Sequence, residues 1–133
     1  MAKIKDLGDR MKAYEQCYDV RVPARSYVII RLDGKGFSKY TKMFDKPFDD
    51  GLSNIMDAAT IELCKYLNPK FAYTQSDEIS LMFTDIENIE SELIFDGKVQ
   101  KLCSISASKV TQAFNKKMLQ LLSIKLPQDE FLH

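Results

Sequence analysis

Apolar residues recur along the chain with two periods, roughly 3.6 and 2, and these divide it into six elements. Ile4, Leu7, Met11 and Tyr14 share one helical face, which predicts an amphipathic helix over Ile4–Cys17. The stretch Arg21–Ser26, with Pro23 inside it, breaks that pattern. Tyr27–Leu32 (YVIIRL) is β-branched and apolar and reads as a buried strand running into Asp33-Gly34-Lys35-Gly36, with a loop continuing through Pro47. Asp49 or Asp50 can cap a helix whose apolar face is Leu52, Ile55, Met56, Ala59, Leu63 and Leu67, and Asn68-Pro69 stops it. Phe71–Ser76 and Ile79–Phe83 alternate with period 2. Only Asp77-Glu78 lies between them, so they read as a hairpin with carboxylates at its tip. Thr84–Asp96 is a loop whose five acids read as solvated surface. Lys98 to about Leu122 is a second long helix with Val99, Leu102, Cys103, Val110 and Phe114 facing inward.

The predicted order is therefore helix, strand, helix, strand, strand, helix. Its last five elements form a split βαβ (ferredoxin-like) unit that lacks a final strand. The expected class is α+β: one antiparallel sheet, polymerase-palm-like, with helices on one face and the other face free. Residues 1–133 are read as a single palm-type domain, an N-terminal part of a longer catalytic unit. The first strand should then be an open sheet edge able to pair, which predicts self-association.

Composition narrows the chemistry. Nineteen basic and nineteen acidic residues cancel, so no global field draws the chain to nucleic acid, and an RNA partner would need a local basic patch. The single histidine is His133, which removes histidine catalysis and histidine-rich metal sites. Cys17, Cys64 and Cys103 are far apart and lack metal-type spacing; they read as partly buried reduced thiols of a cytoplasmic protein. No apolar run approaches the roughly 20 residues of a membrane span.

What remains is carboxylate chemistry. Asp33 closes the first strand, and Asp77 with Glu78 occupies the hairpin tip. In a split βαβ sheet the first strand lies beside the hairpin's second strand, so these acids can converge at one sheet edge. Converging hard oxygens suit magnesium. Two such ions roughly 3.5–4 Å apart would stabilise the attacking and leaving oxygens of a phosphoryl transfer. Each acid also has an ordinary reading as a turn residue. Asp33–Ser38 (DGKGFS) could offer backbone N–H groups and Lys35 to a triphosphate, though it is no Walker motif. Lys46 is either a solvated lysine or a phosphate clamp.

Four segments occur in order: Val28–Lys35 (VIIRLDGK), Phe44–Phe48 (FDKPF), Tyr73–Ser80 (YTQSDEIS) and Lys98–Lys101 (KVQK). Together they resemble the tRNA-His guanylyltransferase family, from about Met11 to about Asn115. The stretches Lys12–Glu15, Leu63–Leu67 and Gln100–Ser108 look more like its bacterial, repair-type members. The resemblance implies a palm working in the 3′-to-5′ direction: the RNA 5′ end is activated by a nucleoside triphosphate, then attacked by the 3′-hydroxyl of an incoming nucleotide, with release of pyrophosphate or AMP. It implies that Asp33 and Asp77, assisted by the Gly34 carbonyl, bind two magnesium ions, and that Glu78 supports them as a catalytic acid. The nucleotide-binding surface it implies comprises Asp33, Gly34, Lys35, Gly36, Phe37, Ser38, Lys46, Asp49, Ser76 and Asp77, with Lys98 and Lys101 as phosphate contacts and Arg31 beside the site. The implied partners are GTP, ATP and tRNA, in a homo-oligomer (dimer or tetramer).

Two departures stand out. The family usually has histidine where this chain has Ser38, which weakens or rebuilds the triphosphate contact there. Leu126–His133 does not look like the palm's expected final strand. Two further readings therefore stand beside the enzyme. One is a nucleotide-binding or oligomerisation module left catalytically incomplete by truncation. The other is a cyclase-type palm, although the hairpin tip is not GGDEF-like.

Overall fold

The computed structural model describes residues 6–35 and 50–125. Helix α1 spans Leu7–Glu15, and a 3-10 turn follows at Gln16–Tyr18. Strand β1 is Val28–Asp33, α2 is Asp50–Leu67, β2 is Phe71–Gln75 and β3 is Glu78–Phe83. A 3-10 turn at Ile94–Gly97 leads into α3, Val99–Lys125.

The sheet order is β1-β3-β2, antiparallel throughout, with Asp33 opposite Glu78 and Glu78 opposite Gln75. This is the expected α+β arrangement. Burial alternates strictly along each strand. Ile30, Ile79, Leu81 and Phe83 meet Met56, Leu63 and Leu67 of α2 and Leu102 of α3 in one core. On the opposite face stand three cross-strand rows: Ile29, Met82 and Phe71; Arg31, Ser80 and Tyr73; Asp33, Glu78 and Gln75. Both helices therefore cover one face and leave the other open, as the hydrophobic pattern requires.

Several sequence readings move by a few residues, each for a physical reason. The hairpin tip is Ser76-Asp77, not Asp77-Glu78. Ser76 takes a positive φ of 55°, which closes a two-residue turn, and Glu78 opens β3 instead. The first helix begins later than Ile4 among the described residues. Asp6 caps it by accepting the Asp9 backbone N–H at 2.8 Å. Its apolar face (Leu7, Met11, Tyr14) is exposed rather than packed. Cys103 is exposed and not inward-facing, because Leu102, Ser106, Ala113 and Met118 form the buried stripe of α3. Cys17 is exposed too, and only Cys64 is half-buried; all three are free thiols. The reading of Leu126–His133 lies outside the described residues.

The acidic loop is more than solvated surface. Asp85 is buried and accepts the Arg25 backbone N–H at 2.9 Å. The Arg25 guanidinium donates to the carbonyls of Asp85, Asn88 and Ile89 at 2.6, 2.6 and 2.9 Å. Val22 N–H donates to the Gly97 carbonyl and Val99 N–H to the Val20 carbonyl, both at 2.9 Å, so the segment before β1 is laced to the start of α3. Gly97 sits at φ 67°, where a Cβ would come within 3.0 Å of the Val22 side chain, so glycine is required there.

Leu81 is fully buried in the central strand, whereas Ile29 is 68% exposed on the open face. Leu81→Ala is expected to cost about 2–5 kcal/mol in urea unfolding. Ile29→Ala is expected to cost less than about 1 kcal/mol. Equal losses would contradict the one-sided core.

Candidate functional site

At the end of the sheet where β1 leaves and the hairpin turns, a cleft of about 300 Å³ opens between sheet and helices. Its mouth is polar. Asp33 comes from the last position of β1, Gly34 and Lys35 from the chain leaving it, and Asp77 from the tight turn. Its back wall is apolar, with Met56 of α2 and Val110 and Phe114 of α3. Antiparallel pairing is what brings the two acids together, because β1 ends opposite the start of β3. Ser76, at a positive φ that a non-glycine residue adopts only at a cost of order 1 kcal/mol, holds Asp77 at the turn.

Neither the Asp33 nor the Asp77 carboxylate finds a hydrogen bond or ion pair among the described residues. No group of three His, Cys, Asp or Glu among those residues could hold a metal ion by itself. The donor set is thus two free carboxylates beside the Gly34 main chain. That set fits a hard cation that keeps several waters and takes its other ligands from phosphate.

Glu78 behaves differently. It faces the open side of the sheet and forms an ion pair with Arg31, one row away. Its carboxylate, and more weakly Asp33, hold the Arg31 guanidinium above its ordinary pKa. The pair is surface-exposed, so its effect is orientation rather than stability.

Of the site residues read from the sequence, Asp33, Gly34, Lys35 and Asp77 therefore line one cleft. Ser76 is exposed at the turn and Glu78 is drawn to Arg31. Lys98 and Lys101 are not among the cleft-lining residues and lie at the start of α3. The helix rises about 18 Å between Lys98 and Val110. Lys98 there lies 3.6 Å from Asp19, which also binds Arg21 at 3.0 Å. Gly36, Phe37, Ser38, Lys46 and Asp49 lie outside the described residues. The wall residue Thr111 carries no sequence signal of its own, while Met56, Val110 and Phe114 read as ordinary core positions.

A family model described as tRNA-His guanylyltransferase matches residues 8–131. The chain belongs to the tRNA-His guanylyltransferase family. It is 38% identical over 115 residues to an uncharacterised protein of Acanthamoeba polyphaga mimivirus, spanning 82% of this chain and 39% of that protein. It is 35% identical to the tRNA(His) guanylyltransferase of Schizosaccharomyces pombe, over 83% of this chain and 41% of the enzyme. Among solved structures, a bacterial tRNA(His) guanylyltransferase-like protein in complex with GTP superposes with a TM-score of 0.80 at 38% identity, covering 87% of this chain and 54% of that one. The chain thus spans about two fifths to half the length of these family members.

Asp19 is held below its usual carboxylate range, mainly by its hydrogen bond from Arg21 and further by the charge of Lys98. A lowered folded value means its contribution is present above the ordinary value of 3.8 and disappears as pH falls through the folded one. Amide resonances of Val22 and Val99, which lace this corner together, should accordingly shift with an apparent midpoint below pH 3.8. A midpoint above 3.8 would contradict the bridge.

Proposed function

We propose that this chain is the palm of a magnesium-dependent 3′-to-5′ nucleotidyltransferase that adds guanylate or other nucleotides to the 5′ end of tRNA. It would do so in tRNA-His guanylylation or in 5′-end repair. The observation that carries the reading is the convergence of Asp33 and Asp77, both unpaired among the described residues, on one cleft with Gly34 and Lys35. Family relatives bound to GTP and to ATP support it.

On this reading Asp33, Asp77 and the Gly34 carbonyl hold the magnesium ions. When bound, magnesium neutralises phosphate charge and polarises the oxygens that exchange at phosphorus. The chain's residues do the rest. Val110, Phe114 and Met56 give a nucleoside an apolar wall that excludes water from one side. Lys35 supplies a point charge for phosphate at the cleft mouth. Arg31 neutralises Glu78, the cross-strand neighbour of Asp33, and so offsets the third negative charge beside the two ligand carboxylates. GTP, ATP and tRNA are the partners of this reading, and the cytoplasm its compartment. Among the described residues no helix is long and apolar enough to cross a membrane.

The test is incubation of the chain with magnesium, ATP, labelled GTP and a tRNA lacking its 5′ nucleotide. Labelled tRNA is expected, and Asp77→Asn should lower labelling roughly a hundredfold or more at an unchanged urea midpoint. Full labelling by that variant would sink the metal assignment. GTP binding without product would favour the incomplete nucleotide-binding module.

Self-association belongs to the same proposal. Among the described residues β1 has a neighbour on one side only, and exposed Ile29 lies along it. Analytical ultracentrifugation at high micromolar concentration is expected to show a dimer or tetramer. A clean monomer would refute it.

A further inference from the structure

Helix α3 carries five lysines and no acid from Val99 to Lys125, in a chain whose formal charge is zero. Leu102, Ser106, Ala113 and Met118 bury one side of it. The opposite side presents Lys101, Ser108, Gln112, Asn115 and Lys116, all exposed. At its margin the Lys109 ammonium stands 5.0 Å from the centroid of the Tyr66 ring and donates to Gln112 Oε1 at 3.2 Å. Lys116 lies 3.5 Å from Glu62 of α2 but keeps 60% of its side chain exposed.

Glu62 of α2 meets this helix at Lys116, whereas three acids of the loop before the helix are engaged elsewhere. Asp85 is bonded to Arg25, Glu87 to Lys70 and Asp96 to Arg21. Lys101, Lys109 and Lys116, three of the five lysines, fall on one side of the helix. Lysines beside serine, asparagine and glutamine are the donor types that meet nucleic-acid phosphates, and they carry no base-reading geometry. Lys109 and Lys116 are seven residues apart, about 10.5 Å along the axis. That span reaches several phosphates of a duplex with one charge per roughly 1.7 Å.

We propose that the outer face of α3, with Lys109, Lys116 and the flanking Tyr66, docks the phosphate backbone of an RNA stem. Ala107 and Val110 of the same helix line the cleft on its other side, so the two surfaces are separated by one helix diameter, about 10–12 Å. A stem held on the lysine face can thus deliver its end around the helix to the cleft. This inference rests on the reading of the chain as acting on RNA, and adds where the RNA body lies.

The experiment is binding of the full chain to labelled tRNA and to an RNA hairpin between 50 and 200 mM salt. For Lys109→Gln/Lys116→Gln, the Kd is expected to rise roughly tenfold at 0.1 M salt and the log–log salt slope to fall by about 2. Each single variant should lower the slope by about 1, so the result does not hang on one protein folding. GTP affinity should be unchanged. An unchanged RNA Kd and slope would overturn the proposal, as would absence of RNA binding by the unsubstituted chain. Salt-sensitive self-association that disappears with these lysines while RNA binding persists would assign the face to a second copy and overturn it equally. Asp77→Asn should keep RNA binding whether or not it loses nucleotide transfer, so failure of the cleft reading and failure of this one are distinguishable.

Discussion

Strand β3 lies between both other strands, so its period-2 alternation is the constraint from which the remaining geometry follows. Ile79, Leu81 and Phe83 must point at α2 and α3, which forces Glu78, Ser80 and Met82 to the opposite face. Slipping β3 by one residue would put three buried side chains into solvent and Glu78 into the core. The register is thereby secured, and with it the opposition of Asp33 to Glu78 and the position of the turn that carries Asp77. The candidate site is a by-product of packing: apolar alternation places the acids where three chain ends meet.

The cleft combines two environments that seldom coexist on a small sheet. Its wall is furnished by side chains of α2 and α3 that also belong to, or adjoin, the core, while its mouth holds two carboxylates without partners among the described residues. Two carboxylates set beside one another, Asp33 exposed and Asp77 half-buried, suit a hard cation that takes its other ligands from water and phosphate. Arg31 is the nearest cation built into the strands, and it is committed to Glu78. With Lys35 the only lining cation among the described residues, the mouth keeps a net negative charge that a metal ion can offset.

Much of this was readable from residue pattern, and the parts that were not share a cause. Period-2 and period-3.6 spacing identified β1, α2, β2, β3 and α3, because one-sided burial leaves that imprint. Turn placement slipped by one residue, since Asp77-Glu78 and Ser76-Asp77 are equally turn-like in composition and the positive φ of Ser76 decided between them. The Arg25 clamp on Asp85, Asn88 and Ile89 joins residues about sixty positions apart, and no local pattern encodes it. The pairing of Lys98 with Asp19, some eighty residues upstream, is equally beyond the reach of any local pattern. The cleft wall was invisible because Val110 and Phe114 look like any core residues until the helix is placed.

Among the described residues β1 leaves one edge unpaired, and this has a different kind of consequence. What it offers is main-chain N–H and C=O groups, identical whatever side chains the strand carries. Any strand that joins there is recognised by backbone spacing and direction, so its sequence can drift over evolutionary time without loss of the joint.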